Sequence, residues 1–176
     1  MRVIAGEFRS RVLKSLPGFS VRPTPDRLRE TLFNVLAPRI EGSAFIDAFA
    51  GTGAVGIEAL SRGAARAIFI ERDPQALDIL RQNLSSLKIG PQATVVRGSA
   101  LRFLKDYEAD IVFIDPPYQQ TADYESALLL SGGRCHLAIA QHDAKFPLAD
   151  QYGALQRTRT LHQGSNVLSF YEPEVP

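Results

Sequence analysis

Short apolar runs alternate with amphipathic stretches through the middle of the chain. The runs at 44–49, 67–71, 94–96 and 110–114 have the length of buried strands, and the stretches between them place apolar residues at helical spacing. Such alternation is typical of a parallel sheet with helices on both faces. It predicts an α/β fold, and the chain length predicts a single domain over residues 1–176.

Turn residues and periodicity predict the elements on either side. Alternation at 2–5 and 11–14 indicates a small N-terminal strand pair. Thr24 as N-cap and Pro25 in the first turn indicate a helix that runs to Leu36. The remaining elements expected are helices at 56–62, 74–87, 100–104 and 124–130, a strand at 136–140, a loop at 142–153 and an antiparallel hairpin of 155–161 with 166–171.

The distribution of charge indicates a candidate partner. Residues 1–30 hold seven basic and three acidic side chains, a net charge of +4, whereas the whole chain carries +1. A basic N-terminal arm, residues 1–21, could contact nucleic-acid phosphates, although a solvated basic surface would give the same pattern. The candidate RNA contacts are the basic side chains near the start of the chain: Arg2, Arg9, Arg11, Lys14 and Arg22.

Composition argues against several classes of protein. No apolar run approaches the roughly 18 residues of a membrane span, and residues 1–7 lack the apolar core of a signal peptide. We therefore expect a cytoplasmic protein without a membrane partner. The single cysteine, Cys135, cannot form an internal disulfide, and three scattered histidines give no metal-ligand spacing, so we expect no metal.

A glycine-rich turn follows the first predicted strand. Residues 51–56 fit G-x-G-x-x-G at a strand-to-helix junction, where Gly51 and Gly53 would let a ligand approach the backbone and the helix N-terminus. Glu71 ends the second strand, where an acidic side chain binds ribose hydroxyls in folds of this kind. Together they predict an adenosine-containing ligand, although the glycines alone could form only a tight turn.

Asp47 lies in the strand that precedes the glycines, and its charge indicates which ligand binds there. Its carboxylate would repel a pyrophosphate and attract an ammonium group. S-adenosylmethionine carries such an ammonium group, so we predict it as the cofactor; an aspartate that only caps the turn is the alternative. The predicted cofactor-binding residues follow the first three strands: Asp47, Phe49, Gly51, Gly53, Glu71, Arg72, Ser99 and Ala100.

The fourth predicted strand runs directly into Asp115-Pro116-Pro117-Tyr118. An exocyclic base amine is a poor nucleophile, because its lone pair is delocalised into the ring. The Asp115 carboxylate and the Pro116 carbonyl could accept its two N–H bonds and direct the lone pair at a sulfonium methyl group. Pro116 and Pro117 would hold this backbone rigid, and Tyr118 could stack on an extruded base. The four residues are therefore the predicted catalytic segment; prolines that merely end a strand are the alternative.

These segments resemble class I methyltransferases, and more narrowly the small bacterial 16S ribosomal RNA guanine-N2 methyltransferases of the RsmD type. The resemblance rests on residues 2–6, 22–30, 47–63 and 115–118. It implies a Rossmann-like fold with a mostly parallel seven-stranded sheet and a C-terminal antiparallel hairpin. It also implies S-adenosylmethionine as cofactor and a guanine of 16S rRNA as substrate, within an assembling small ribosomal subunit. We expect a monomer.

Two departures from the family pattern concern binding. Ser99 stands where many class I members have an aspartate that bonds the adenine amine, so we expect backbone groups and the Ser99 hydroxyl to contact adenine. The stretch 119–140 is shorter than is usual in the family, which trims a helix beside the target-base pocket.

Three other functions share some of these features. A DNA adenine-N6 or cytosine-N4 methyltransferase would share residues 115–118, but such enzymes usually need an added target-recognition domain. A nicotinamide-dependent dehydrogenase would leave Asp47 and residues 115–118 without a role. A non-catalytic RNA-binding protein on the same fold would use the basic arm alone.

Overall fold

The computed structural model describes residues 1–18, 24–117 and 122–176, and eight strands and five α-helices lie within them. A short 3-10 turn at Leu104–Asp106 follows the fourth helix. In chain order the elements are α1 (Asp26–Ile40), β1 (Ala44–Asp47), α2 (Ala54–Ser61), β2 (Arg66–Glu71), α3 (Pro74–Ser86), β3 (Ala93–Arg97), α4 (Ala100–Phe103), β4 (Ile111–Ile114), α5 (Ala122–Ser131), β5 (Leu137–Asp143), β6 (Gln151–Tyr152), β7 (Leu155–Gln163) and β8 (Asn166–Pro173).

The described strands join one sheet in the order β3-β2-β1-β4-β5-β8-β7-β6. Strands β1 to β5 pair in parallel, and β8, β7 and β6 continue the sheet antiparallel. The predicted Rossmann-like fold with a C-terminal hairpin is confirmed. The sheet has eight strands rather than the predicted seven, because the two-residue strand β6 pairs with the start of β7. The strand order reverses between β1 and β4, so a ligand crevice is expected at their carboxyl ends.

Apolar side chains cover both faces of the sheet. On one face α1, α2 and α3 pack against strand residues that include Phe45 and Phe69. On the other face α4 and α5 pack against residues that include Ile46 and Ile70. Neighbouring residues of one strand point to opposite faces, so a strand covered on both sides must be apolar throughout. The continuous apolar runs of the sequence have this origin.

The start and end of α1 differ from the prediction. The helix begins at Asp26, Pro25 occupies the N-cap position, and no side chain caps it. Thr24 was therefore wrong as the N-cap: its side chain is buried and faces Asp115 instead. The helix also continues past Leu36 and through Pro38, because Ile40 adds a buried contact to the core.

The N-terminal arm lies folded against α2 and α3. The predicted strand pair is reduced to a single antiparallel bridge between Arg2 and Val12. Much of the arm's backbone bonds to α2 instead: Glu58, fully buried, accepts the N–H groups of Ile4 at 2.9 Å and Ala5 at 3.0 Å. These contacts satisfy backbone groups that a longer strand ladder would otherwise have paired.

The stretch 142–153, predicted as a loop, contains regular structure at both ends. β5 extends to Asp143, which pairs with Asn166 of β8, and β6 lies at 151–152. The extension follows from the hairpin, because β8 pairs with β5 from Ala138 to Asp143. Among the described residues, no helix is both long enough and apolar enough to span a bilayer.

Candidate active site

A cavity of about 630 Å³ opens at the carboxyl ends of β1, β2 and β4. These parallel strands all end at the same edge of the sheet, so residues far apart in the chain meet there. Most of the predicted cofactor-binding and catalytic residues line this cavity: Asp47, Phe49, Gly51, Glu71, Arg72, Ser99, Ala100, Asp115, Pro116 and Pro117. Tyr118 and Arg22 lie outside the described residues.

The glycines of the loop differ in what they do. Gly51 has φ +57°, and a Cβ added there would meet nothing within 4 Å, so its backbone is open to a ligand. Gly53 has φ +94°, and a Cβ there would lie 2.3 Å from Leu80 Cδ1. Gly53 does not line the cavity. The left-handed backbone of Gly53 favours glycine, and its close packing on Leu80 of α3 adds a contact that the motif alone does not reveal.

Asp47 lies at the end of β1 and is 2% exposed. Its Oδ2 accepts the Gly56 N–H in the first turn of α2 at 2.9 Å, and the residue also lines the cavity. This geometry is compatible with both the structural role and the predicted cofactor role. Burial raises the pKa of Asp47 to about 7, and the negative charge of Glu71 adds to the rise. A cation in the cavity would favour the ionised form.

Glu71 braces the glycine loop. Its Oε2 accepts the Gly51 N–H at 2.7 Å, and its Oε1 accepts the N–H groups of Arg72 at 2.8 Å and Asp73 at 2.9 Å. The carboxylate is thus held in one orientation at the end of β2, beside the cavity. A carboxylate can accept further hydrogen bonds at the same oxygens, so a ribose hydroxyl could share them.

Asp115 follows β4. The strand β1 lies between β4 and β2, which carries Glu71. Burial raises the pKa of Asp115 to about 7, the negative charge of Asp47 adds to this, and a hydrogen bond from the Thr24 hydroxyl opposes it. The carboxyl groups of Asp47, Glu71 and Asp115 therefore line one cavity, together with those of Asp73 and Asp123. Such a cavity attracts a cationic ligand and disfavours an anionic one.

Ser99 lies where the third strand turns into α4. It occupies the N-cap position of α4 without a side-chain capping bond, and it lines the cavity together with Ala100. The Ser99 hydroxyl is therefore not used to cap the helix. This placement is compatible with the expected contact to adenine.

The predicted RNA-contacting side chains of the described arm are exposed: Arg2, Arg9, Arg11 and Lys14. Two of them also bond to α3, Arg11 Nη2 to the Ser86 carbonyl at 2.9 Å and Lys14 Nζ to Gln82 Oε1 at 2.8 Å. Exposed hydrogen bonds of this kind exchange readily with phosphate contacts.

Sequence reasoning missed the arm's second role. The backbone after Lys14 turns toward the cavity, and residues of the arm and of the turn into α1 line it: Met1, Ser15, Leu16, Gly18 and Thr24. Their residue types carry no signal for a small-molecule site. The sequence contains one hint that this region lies near the site, namely the resemblance of residues 22–30 to the rRNA methyltransferase family. The hydrogen bond from Thr24 to Asp115 explains part of that resemblance.

Known proteins are similar to this chain in sequence and architecture. The family model described as Conserved hypothetical protein 95 matches residues 1–172. The Bacillus subtilis protein YlbH is 35% identical and covers 98% of both chains. Ribosomal RNA small subunit methyltransferase D of Escherichia coli is 46% identical over 74% of this chain and 66% of its own length. The solved structure of Escherichia coli yhhF superposes on this chain with a TM-score of 0.87 at 34% sequence identity. The match covers 100% of this chain and 99% of yhhF.

Proposed function

Because the chain belongs to the family described as Conserved hypothetical protein 95, we propose that it methylates the exocyclic N2 amine of a guanine in 16S rRNA, with S-adenosylmethionine as methyl donor. The family predicted from the sequence is confirmed by this membership. The observation that carries the proposed reaction is the position of Asp115 and Pro116 in the same cavity as Asp47 and Glu71.

The cavity fits the proposed cofactor in charge. S-adenosylmethionine would supply an electrophilic methyl group on a positively charged sulfur, and it carries an ammonium group as well. Asp47 and Asp115 offer negative charge at the ends of β1 and β4, the open backbone at Gly51 follows β1, and the Glu71 carboxylate lies at the end of β2. We assign the ammonium group to Asp47, the ribose to Glu71 and the adenine to Ser99 and Ala100.

The protein's own contribution to the reaction is to orient the amine. Asp115 and the Pro116 carbonyl are two acceptors on adjacent residues, and paired prolines restrict the backbone that carries them. If each accepts one N–H of the guanine amine, the nitrogen lone pair is released from the ring and directed at the methyl group. The amine gains a positive charge on methylation, and Asp115 can take up the proton that it must then lose.

The basic arm is the proposed contact for the rRNA backbone. Arg2, Arg9, Arg11 and Lys14 lie on the folded arm whose following residues line the cavity. Phosphates held there would bring a neighbouring nucleotide to the cavity mouth. We further propose that the substrate is an assembling small ribosomal subunit, and that the protein acts as a cytoplasmic monomer in which residues 1–176 form one domain.

Methyl transfer from labelled S-adenosylmethionine tests the proposal directly. Small-subunit particles, naked 16S rRNA and DNA would be offered in parallel, with nucleoside analysis of the product and Asp115→Asn as the matched control. We expect N2-methylguanosine in the ribosomal samples, and formation slowed about 100-fold or more with the variant. Methyladenine or methylcytosine in DNA would identify the DNA amine methyltransferase instead. Saturable RNA binding without any transfer would identify the non-catalytic RNA-binding protein.

A further inference from the structure

Asn83 of α3 joins two separate walls of the cavity. It is 1% exposed, and its side chain makes three hydrogen bonds. Its Oδ1 accepts the Lys14 N–H at 2.8 Å, and its Nδ2 donates to the Lys14 carbonyl at 3.0 Å and to the Thr52 carbonyl at 2.9 Å. Both N–H bonds of the amide are thereby used, one on the arm and one on the glycine loop.

The two partners of Asn83 belong to cavity-lining segments. Thr52 lies between Gly51 and Gly53 and itself lines the cavity, and Ser15 and Leu16, which follow Lys14, line it from the arm. Asn83 itself is absent from the lining. It therefore acts on a ligand only through the segments that it holds.

We propose that Asn83 is a positioning residue that couples the N-terminal arm to the glycine loop, so that cofactor binding and docking of the arm favour each other. A buried carbonyl or N–H group left without its partner is unfavourable, so neither segment can separate from Asn83 without a loss of stability. Ligand that holds the glycine loop in place consequently holds the arm as well. Coupling of this kind is reciprocal.

The consequence for substrate binding rests on the proposed function. Arg9 and Arg11 lie on the same arm, so rRNA bound there would raise the affinity for the cofactor, and bound cofactor would raise the affinity for rRNA. The test below uses no RNA, which keeps the coupling separate from the identity of the substrate.

Ser61 provides a matched control. It lies on α2, is 4% exposed, and its side chain makes two hydrogen bonds to the arm: its Oγ accepts the Phe8 N–H at 3.0 Å and donates to the Ala5 carbonyl at 2.6 Å. None of its hydrogen bonds reaches the glycine loop. Asn83→Ala and Ser61→Ala therefore both loosen the arm, and only the first also frees Thr52.

The measurement is the calorimetric affinity for S-adenosylhomocysteine, taken well below each variant's unfolding midpoint. We expect Asn83→Ala to weaken binding about tenfold or more, which corresponds to about 1.4 kcal/mol, because it releases Lys14 and Thr52 together. We expect Ser61→Ala to change binding less than about threefold, because it frees only residues 5–8 of the arm and leaves the link through Asn83 intact. Equal losses in both variants, or normal binding by Asn83→Ala, would overturn the coupling. Wild-type protein that does not bind the ligand would contradict the proposed function itself.

A second measurement needs no substitution, in case Asn83→Ala does not fold. Trypsin cleaves after arginine, and Arg9 and Arg11 are exposed on the arm. With S-adenosylhomocysteine bound, we expect cleavage of the wild-type arm to slow about threefold or more, because the ligand makes local opening of the arm less favourable. Cleavage at the same rate with and without ligand would overturn the proposal.

Discussion

Asp47→Asn should stabilise the ligand-free protein at alkaline pH while weakening its cofactor binding. The unfolded chain ionises Asp47 near its ordinary pKa of 3.8, whereas burial holds the pKa in the folded protein at about 7. The folded state therefore binds the proton more tightly, and the stability of the wild type falls as the pH rises from about 4 to about 7 and then levels off.

The magnitude follows from the same two pKa values. A rise from 3.8 to about 7 corresponds to about 4 kcal/mol of unfavourable free energy above neutral pH, and to about 1.6 kcal/mol near pH 5. Asparagine keeps the oxygen that accepts the Gly56 N–H and removes the charge. The amide N–H groups of the asparagine lack a partner in the ligand-free protein, which lowers the stability by about 1–2 kcal/mol. The expected net gain is about 2–3 kcal/mol near pH 8 and about zero near pH 5.

Equilibrium urea unfolding of both proteins at the two pH values measures this gain. In thermal unfolding the gain near pH 8 should appear as a midpoint raised by roughly 5–10 °C. Asp78→Asn, on the exposed side of α3, is the control, and we expect its stability to follow the wild type at both pH values. A gain for Asp47→Asn that is no larger near pH 8 than near pH 5 would refute the burial of an ionised carboxylate as its cause.

Three further outcomes follow from the site. Asp115→Asn should reduce turnover by roughly 100-fold or more and leave the affinity for S-adenosylhomocysteine nearly unchanged, because the carboxylate acts on the amine; unchanged turnover would remove it from the reaction. Affinity for S-adenosylmethionine should rise between about pH 6 and pH 8, with protons released on binding. Burial raises the pKa values of Asp47 and Asp115 to about 7, and the cationic ligand favours their ionised forms. Calorimetry in buffers of different ionisation enthalpy measures the proton release, and an affinity independent of pH would contradict the prediction. Changing Arg9 and Arg11 together to Ala should weaken RNA binding and lower the slope of log affinity against log salt by about 2, whereas an unaltered slope would mean that the arm does not hold phosphates.

Local patterns account for what the sequence alone determined. Buried parallel strands are apolar throughout, so β1, β2 and β4 could be found from short runs, and the loops after them could be searched for chemistry. The position of Asp115, Pro116 and Glu71 beside the cavity could be predicted in this way, because the ends of parallel strands meet at one edge of the sheet. Their roles stay predictions. The hairpin of β7 and β8 was found from alternation and its turn.

Contacts between distant segments were decided only by the tertiary structure. Thr24 fitted the local pattern of a helix cap, yet its hydroxyl bonds to Asp115, which is far along the chain and lines the same cavity. Gly53 fitted a ligand-binding motif, yet its missing side chain makes room for Leu80. Asn83 carried no signal at all, because its bonds to Lys14 and Thr52 span 69 and 31 residues. A repeating pattern reports which face of an element is buried, but the partner on that face is chosen by packing of the whole chain.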